Sequence, residues 1–191
     1  MEPELVHKDY DRVNFKENPL VKAEYENCKF ISCHFESTDL SEIKFICQFR
    51  GSNVSLVNLS KTVFRESQFV NCKMLGLQFY NCSEFGLSFT FDNCNLGHSS
   101  FYKTKIKKTV FRNSQLHEVD FTECDLSGSS FEQCDLANAR FENTTMEKAD
   151  FRTSFNYLIN PEPDRVKKAK FSLSQIIGLL GQYDIEIDKA T

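Results

Sequence analysis

The sequence predicts an all-β solenoid whose coils have four sides. Three observations predict it. An apolar residue returns at every fifth position, like residues return at every twentieth, and a short side chain precedes most apolar centres by two. Neither a helix nor a flat strand has a period of five, whereas a stacked repeat does.

Taken in order, the first run of centres is Phe15, Leu20, Tyr25, Phe30, Phe35, Leu40 and Phe45. The phase slips by one residue, and a second run follows: Phe49, Val54, Leu59, Phe64, Phe69, Met74 and Phe79. The stretch CSEFGLSFTF is irregular and shifts the phase by two. The third run is unbroken from Phe91 through Leu96, Phe101, Ile106, Phe111, Leu116, Phe121, Leu126, Phe131, Leu136, Phe141 and Met146 to Phe151. Phe91, Phe111, Phe131 and Phe151 stand 20 apart, so four units make one coil and like stacks on like. The regular centres number 27; a degenerate side near Glu84 or Phe85 would complete 28, or about seven coils. At the ~4.8 Å spacing of strands the rod is ~34 Å long.

The chain has 191 residues with 19 Phe, no Trp and 7 Gly, the usage of one slot filled many times over. The start, MEPELVHKDYDRVNF, has no apolar stretch of the kind a secretory signal carries, and no segment reaches the ~20 apolar residues of a membrane helix. A cytosolic protein that does not enter membranes is expected. Cys28, Cys33, Cys47, Cys72, Cys82, Cys94, Cys124 and Cys134 all fall two before a centre, or before the place for one. Their spacing follows the coil, not a zinc motif, so they read as small core residues. Cys28 with Cys47, and Cys72 with Cys94, should stack on adjacent coils as free thiols. His7, His34, His98 and His117 are scattered, and no HExxH, P-loop or GxGxxG occurs. No catalytic residue, metal or cofactor is expected, and an enzyme is not.

The solenoid is assigned to residues 1–158 and a cap to residues 159–191. In the cap, PEPDRVKKAKF reads as a short helix after Asn160-Pro161. Ser172 with Gln175 fits a capping box, Leu173, Ile176, Ile177 and Leu180 follow at helical spacing, and Gly181 is a stop. YDIEID, alternating Tyr183, Ile185 and Ile187, reads as a strand. These seven apolar residues exceed what one coil end needs, which predicts a homodimer joined through the tail.

Charge is banded. Residues 1–47 hold ten acids and six bases, residues 48–114 three and nine, residues 115–151 nine and two. The last band could imitate a duplex, which carries about one negative charge per 1.7 Å of axis. Glu118, Asp120, Glu123, Asp125, Asp135, Glu142 and Glu147 are therefore the candidate partner-binding surface. As outward residues, Asp120, Glu123, Asp125 and Glu142 should tolerate reversal to Lys without loss of the fold. Direct nucleic-acid binding is not expected, because the basic band is short and flanked by acid.

The units ANARF, CDLSG, VDFTE and ADFRT resemble the A(D/N)LXX motif of the pentapeptide-repeat family over roughly residues 13–155. The resemblance implies a right-handed quadrilateral β-helix. FVNCKMLG, LSFTFDNCNL and the tail RVKKAKFSLSQIIGLLGQYDIEID are similar to the albicidin and microcin immunity proteins and, more distantly, to the quinolone-resistance proteins. That similarity implies a dimeric DNA mimic that binds DNA gyrase or topoisomerase IV and shields it from a toxin or antibiotic. The breaks near Phe49 and Phe85 are shorter than the projecting loops of the quinolone-resistance members. The other function class is a structural or interaction β-helix with a different partner.

Overall fold

The computed structural model describes residues 3–183 and 185–188. A five-residue side has to turn sharply, and the turn is made two positions after most centres. Tyr25, Phe35, Leu96 and Phe121 are followed there by Asn27, Ser37, His98 and Glu123, at φ of 54°, 58°, 59° and 56°. Twenty-three residues other than glycine take positive φ among the described residues. Each such corner costs roughly 1–2 kcal/mol. The cost is offset by bonds between coils: the His98 N–H donates to the His117 carbonyl at 3.0 Å, and the Glu123 N–H to that of Glu142 at 2.8 Å.

The described residues form nine short strands: β1 (Glu4–Val6), β2 (Asp9–Asp11), β3 (Glu24–Ile31), β4 (Lys44–Arg50), β5 (Val63–Phe64), β6 (Ser67–Val70), β7 (Phe89–Asp92), β8 (Val110–Arg112) and β9 (Ser130–Glu132). They belong to one parallel sheet whose main path is β1-β3-β4-β6-β7-β8-β9, six turns of the coil. The bridges Ser130↔Asp150 and Asp150↔Lys170 carry that side two rungs further. Other sides pair through single bridges such as Asn95↔Gln115 and Ser100↔Asp120. This is the expected all-β, four-sided β-helix.

Strand spacing dictates the packing of the core. Tyr10, Phe30, Phe49, Phe69, Phe91, Phe111, Phe131, Phe151 and Phe171 form one continuous stack with centroids 4.6–5.5 Å apart. Phe79, Phe101, Phe121 and Phe141 form a second, at 4.3–5.4 Å. Rings of the two stacks meet edge to face, as Phe111 and Phe121 do. Such pairs contribute about 0.5–1.5 kcal/mol each beyond their burial.

The polar residue before each centre also has a structural task. Asn53, Asn58, Asn95, Asp120, Asp125, Asp135 and Asp150 each accept, through the side-chain oxygen, the N–H two residues on, at 3.0–3.2 Å. These turns close the backbone at the start of each corner.

The eight cysteines are free and buried in the small slots. The Cys47 thiol donates to the Tyr25 carbonyl at 3.0 Å. Cys94 lies beside Cys72, and their mutual hydrogen bond together with burial pushes the Cys94 thiol up. Burial pushes Cys47, Cys124 and Cys134 up to about 12. Thiols so disposed are packing residues and poor nucleophiles.

Three local expectations are corrected. Neither Glu84 nor Phe85 supplies the degenerate side: both are exposed, Phe85 by 78%. Phe89, a large ring in a small slot, turns in instead and packs on Phe64 and Phe79, with centroids 5.5 and 5.3 Å away. Next, no helix forms over residues 161–171. Arg165 pairs with Thr145 and Lys170 with Asp150, so the ladder runs on past residue 158. Val166 and Phe171 keep the step of five from Phe151, and the last coil captures them.

Finally, Leu173–Leu179 is a 3-10 helix, and the Ser172 side chain caps nothing. So short a segment, with a glycine buried at its sixth position, has little intrinsic α-helical stability. A second 3-10 turn covers Gly181–Tyr183. Residues 185–188 form no strand, and Asp184 lies outside the described residues.

Candidate interaction surfaces

The tail is held by few contacts. Gly178 is buried against Tyr157, and its carbonyl accepts the Ile159 N–H at 2.9 Å. A methyl group on Gly178 would collide with the Tyr157 carbonyl oxygen and ring. Leu179 packs on the core, and the Tyr183 hydroxyl donates to Glu162 at 2.9 Å. The remaining apolar side chains face outward: Leu173 is 90% exposed, and Ile176, Ile177, Tyr183, Ile185 and Ile187 are also exposed. Leu180 is half-buried. Leu158, 62% exposed, adds to this surface from the coil beneath. Apart from Leu180, every tail residue singled out from sequence is exposed.

The seven acids are less uniform. Asp120, Asp125 and Asp135 close turns and are half-buried, so they do not simply project outward. Asp125 also meets Lys107 at 2.9 Å, and Asp135 meets His117 at 2.7 Å and the Asn156 amide at 2.8 Å. Burial acts to raise both carboxyls, but the Ser127 and Lys107 bonds at Asp125 and the His117 and Asn156 bonds at Asp135 outweigh it. Both pKa values end up below the ordinary carboxylate range. Glu123 pairs with Lys103 at 3.5 Å and Glu118 with His98 at 3.2 Å. The side chains of Glu142 and Glu147 make no hydrogen bond or ion pair among the described residues.

The basic and acidic bands are thus zipped together, coil against coil, as Arg112 and Glu132 also show at 2.8 Å. The acids fall on all four sides of the rod, because successive centres turn to successive sides. The coil between them and the tail carries Arg152, Arg165, Lys167, Lys168 and Lys170. Sequence reading missed that basic rung by assigning Arg165, Lys167, Lys168 and Lys170 to a short helix.

Among the described residues no group of three or more His, Cys, Asp and Glu could hold a metal ion, and no helix is long and apolar enough to cross a membrane.

Residues 84–151 match the pentapeptide repeat region, and residues 47–83 match pentapeptide repeats (8 copies). No curated protein matches the sequence. Two solved structures resemble the fold from end to end. One is a trypsin-treated variant of QnrB1, a plasmid-mediated fluoroquinolone resistance protein, with a TM-score of 0.64 and 17% identity, covering 99% of this chain and 100% of that one. The other is a second trypsin-treated variant of QnrB1, with a TM-score of 0.64 and 19% identity, covering 98% and 99%. At such identities the likeness speaks for the fold. With the stacked five-residue units and the two matched stretches, it leads to one assignment: the chain belongs to the pentapeptide-repeat family.

Proposed function

We propose that this chain is a non-enzymatic binding protein that engages a bacterial type II topoisomerase, DNA gyrase or topoisomerase IV, and protects it from a toxin or antibiotic. The observation that carries the reading is the end-to-end likeness, tail included, to a protein that confers fluoroquinolone resistance. Two features support it. The outward apolar tail suits a two-fold contact between copies, and the acidic coils offer a duplex-like charge to a basic saddle. The protein would work in the cytosol, where eight free thiols stay reduced.

The charge geometry refines which acids take part. Among the seven acids, Glu118, Glu123, Glu142 and Glu147 lie outside the aspartate turns; Glu142 and Glu147 have unpaired side chains, and Glu118 and Glu123 would have to exchange their pairs with His98 and Lys103 for contacts with a partner. In a tail-to-tail dimer the acidic coils would flank a basic centre rather than merge into one acidic middle. The neutralising pairs between coils favour a second reading, a rod that binds some other partner through its shape and apolar end.

Gyrase binding by a chain carrying Glu118, Glu123, Glu142 and Glu147 all changed to Lys separates the two. The topoisomerase reading expects wild-type binding that weakens with salt and a loss of at least about tenfold in the folded variant. Equal binding by both chains would refute the acidic surface; no binding by wild type would leave the second reading.

A further inference from the structure

We infer that the break in the repeat at residues 83–88 forms a docking cleft for an acidic segment of another protein, which inserts one apolar side chain beside Leu87. The inference stands apart from the topoisomerase reading, since the surface is neither the acidic coils nor the tail.

The cleft follows from the missing centre. The side that carries Phe64 one coil below and Ile106 one coil above has no fully buried large centre between them: Cys82 fills its small slot, Leu87 packs on the core only in part, and Phe89 enters from a neighbouring slot. Among the described residues no ladder bond joins 84–87 to the coil bearing Lys103 and Lys105. The surface is therefore parted there, leaving a hollow of about 200 Å³ whose lining includes Phe79, Tyr80, Leu87, Tyr102, Lys103 and Lys105. Sites for drug-sized molecules run from about 300 to 1,000 Å³. This hollow is smaller and suits a single anchoring side chain.

Its surroundings are those of an interface centre. Phe85 stands out at 78% exposure with the Arg65 guanidinium 5.7 Å from its ring centre. Tyr80 is exposed by 44% and meets Tyr102 edge-on at 6.4 Å, and the Lys103 ammonium sits 4.8 Å from the Tyr102 ring. Exposed tyrosine and arginine around a small pocket are the composition of binding hot spots. Charge selects the occupant. Lys105 makes no ion pair or side-chain hydrogen bond among the described residues, and neither do Lys61 and Arg65. Glu84 is the acid on the rim. An aromatic or branched aliphatic residue flanked by carboxylates would fill the hollow and pair these bases.

The test is panning of a randomised dodecapeptide display library on the intact chain, on Phe85→Ala and on Lys105→Glu. Both positions are exposed, and circular dichroism checks that the variants fold. Wild type should enrich peptides with one large apolar residue between acids. Phe85→Ala should weaken the winning peptides about tenfold, and Lys105→Glu should shift the selection toward basic flanks. No enrichment, enrichment without acidic bias, or the same winners on both variants would overturn the proposal. So would displacement of the peptides by an oligothymidine, which would mark a stacking platform for single-stranded nucleic acid instead.

Discussion

Asp164 shows how much one slot can carry. It occupies the short inward position filled by Thr104, Cys124 and Thr144 on the coils below, and it is 3% exposed. One carboxyl oxygen accepts the Thr144 N–H at 2.8 Å, while the other has no partner. Burial, with a smaller contribution from Glu142, raises its pKa to about 6. The folded state therefore holds a proton that the unfolded chain has released above about pH 4. Stability attributable to this residue falls as pH rises from about 4 to 6 and stays lower beyond. Asp164→Thr keeps an acceptor for Thr144 and removes the charge. Thermal melts should show the variant ahead by on the order of 2 kcal/mol at pH 7.5, with the gap closing toward pH 4. A gap independent of pH would contradict this reading of Asp164.

The turn-closing aspartates make a second prediction at this scale. Asp125→Lys should cost about 1–2 kcal/mol, as loss of a comparable cap does, whereas Glu142→Lys should stay within about 0.5 kcal/mol. Urea unfolding of the two variants compares them directly. Sequence alone placed both residues outside the core. It could not distinguish an acid that closes a turn from one that only meets water.

At the scale of elements, the ladder and the tail differ in how legible they were. Phe91 to Phe151 could be read without error because one physical rule, like stacked on like, repeats at every coil. The rule continues at Leu5 and Tyr10 and again at Val166 and Phe171, all in phase. Prolines at 161 and 163 and the charged run DRVKK hid the last coil, since a helical cap fits the same letters. Phe89 was an exception with no visible reason until the side next to it proved to lack a fully buried centre.

The tail's type was not legible, because its conformation is set by what it touches. Gly178→Ala tests that contact: the added methyl meets the Tyr157 backbone, which cannot give way as a flexible side chain could. The 173–179 segment should undock, and the Ile159 amide should exchange hydrogen at least about tenfold faster. Unchanged exchange would mean the segment is held elsewhere.

The whole molecule is a stacked rod with an apolar end and surface charge partly cancelled between coils. The sequence made the rod plain, and it marked the tail residues now seen to be exposed. The acids were legible as a band but not as a surface, since pairing between coils and turn closure are properties of the stack. Removal of residues 172–191 should turn a dimer into a monomer in sedimentation equilibrium. An intact chain already monomeric at working concentration would end the tail-to-tail arrangement.

Protection of a type II topoisomerase can be measured as gyrase supercoiling in the presence of a fluoroquinolone or a gyrase-directed toxin, titrated with the purified chain. Supercoiling should recover as the chain is added. The variant with Glu118, Glu123, Glu142 and Glu147 changed to Lys should restore little of it. A poisoned reaction that stays poisoned at every concentration of folded wild-type chain, with DNA gyrase and with topoisomerase IV alike, would contradict protection.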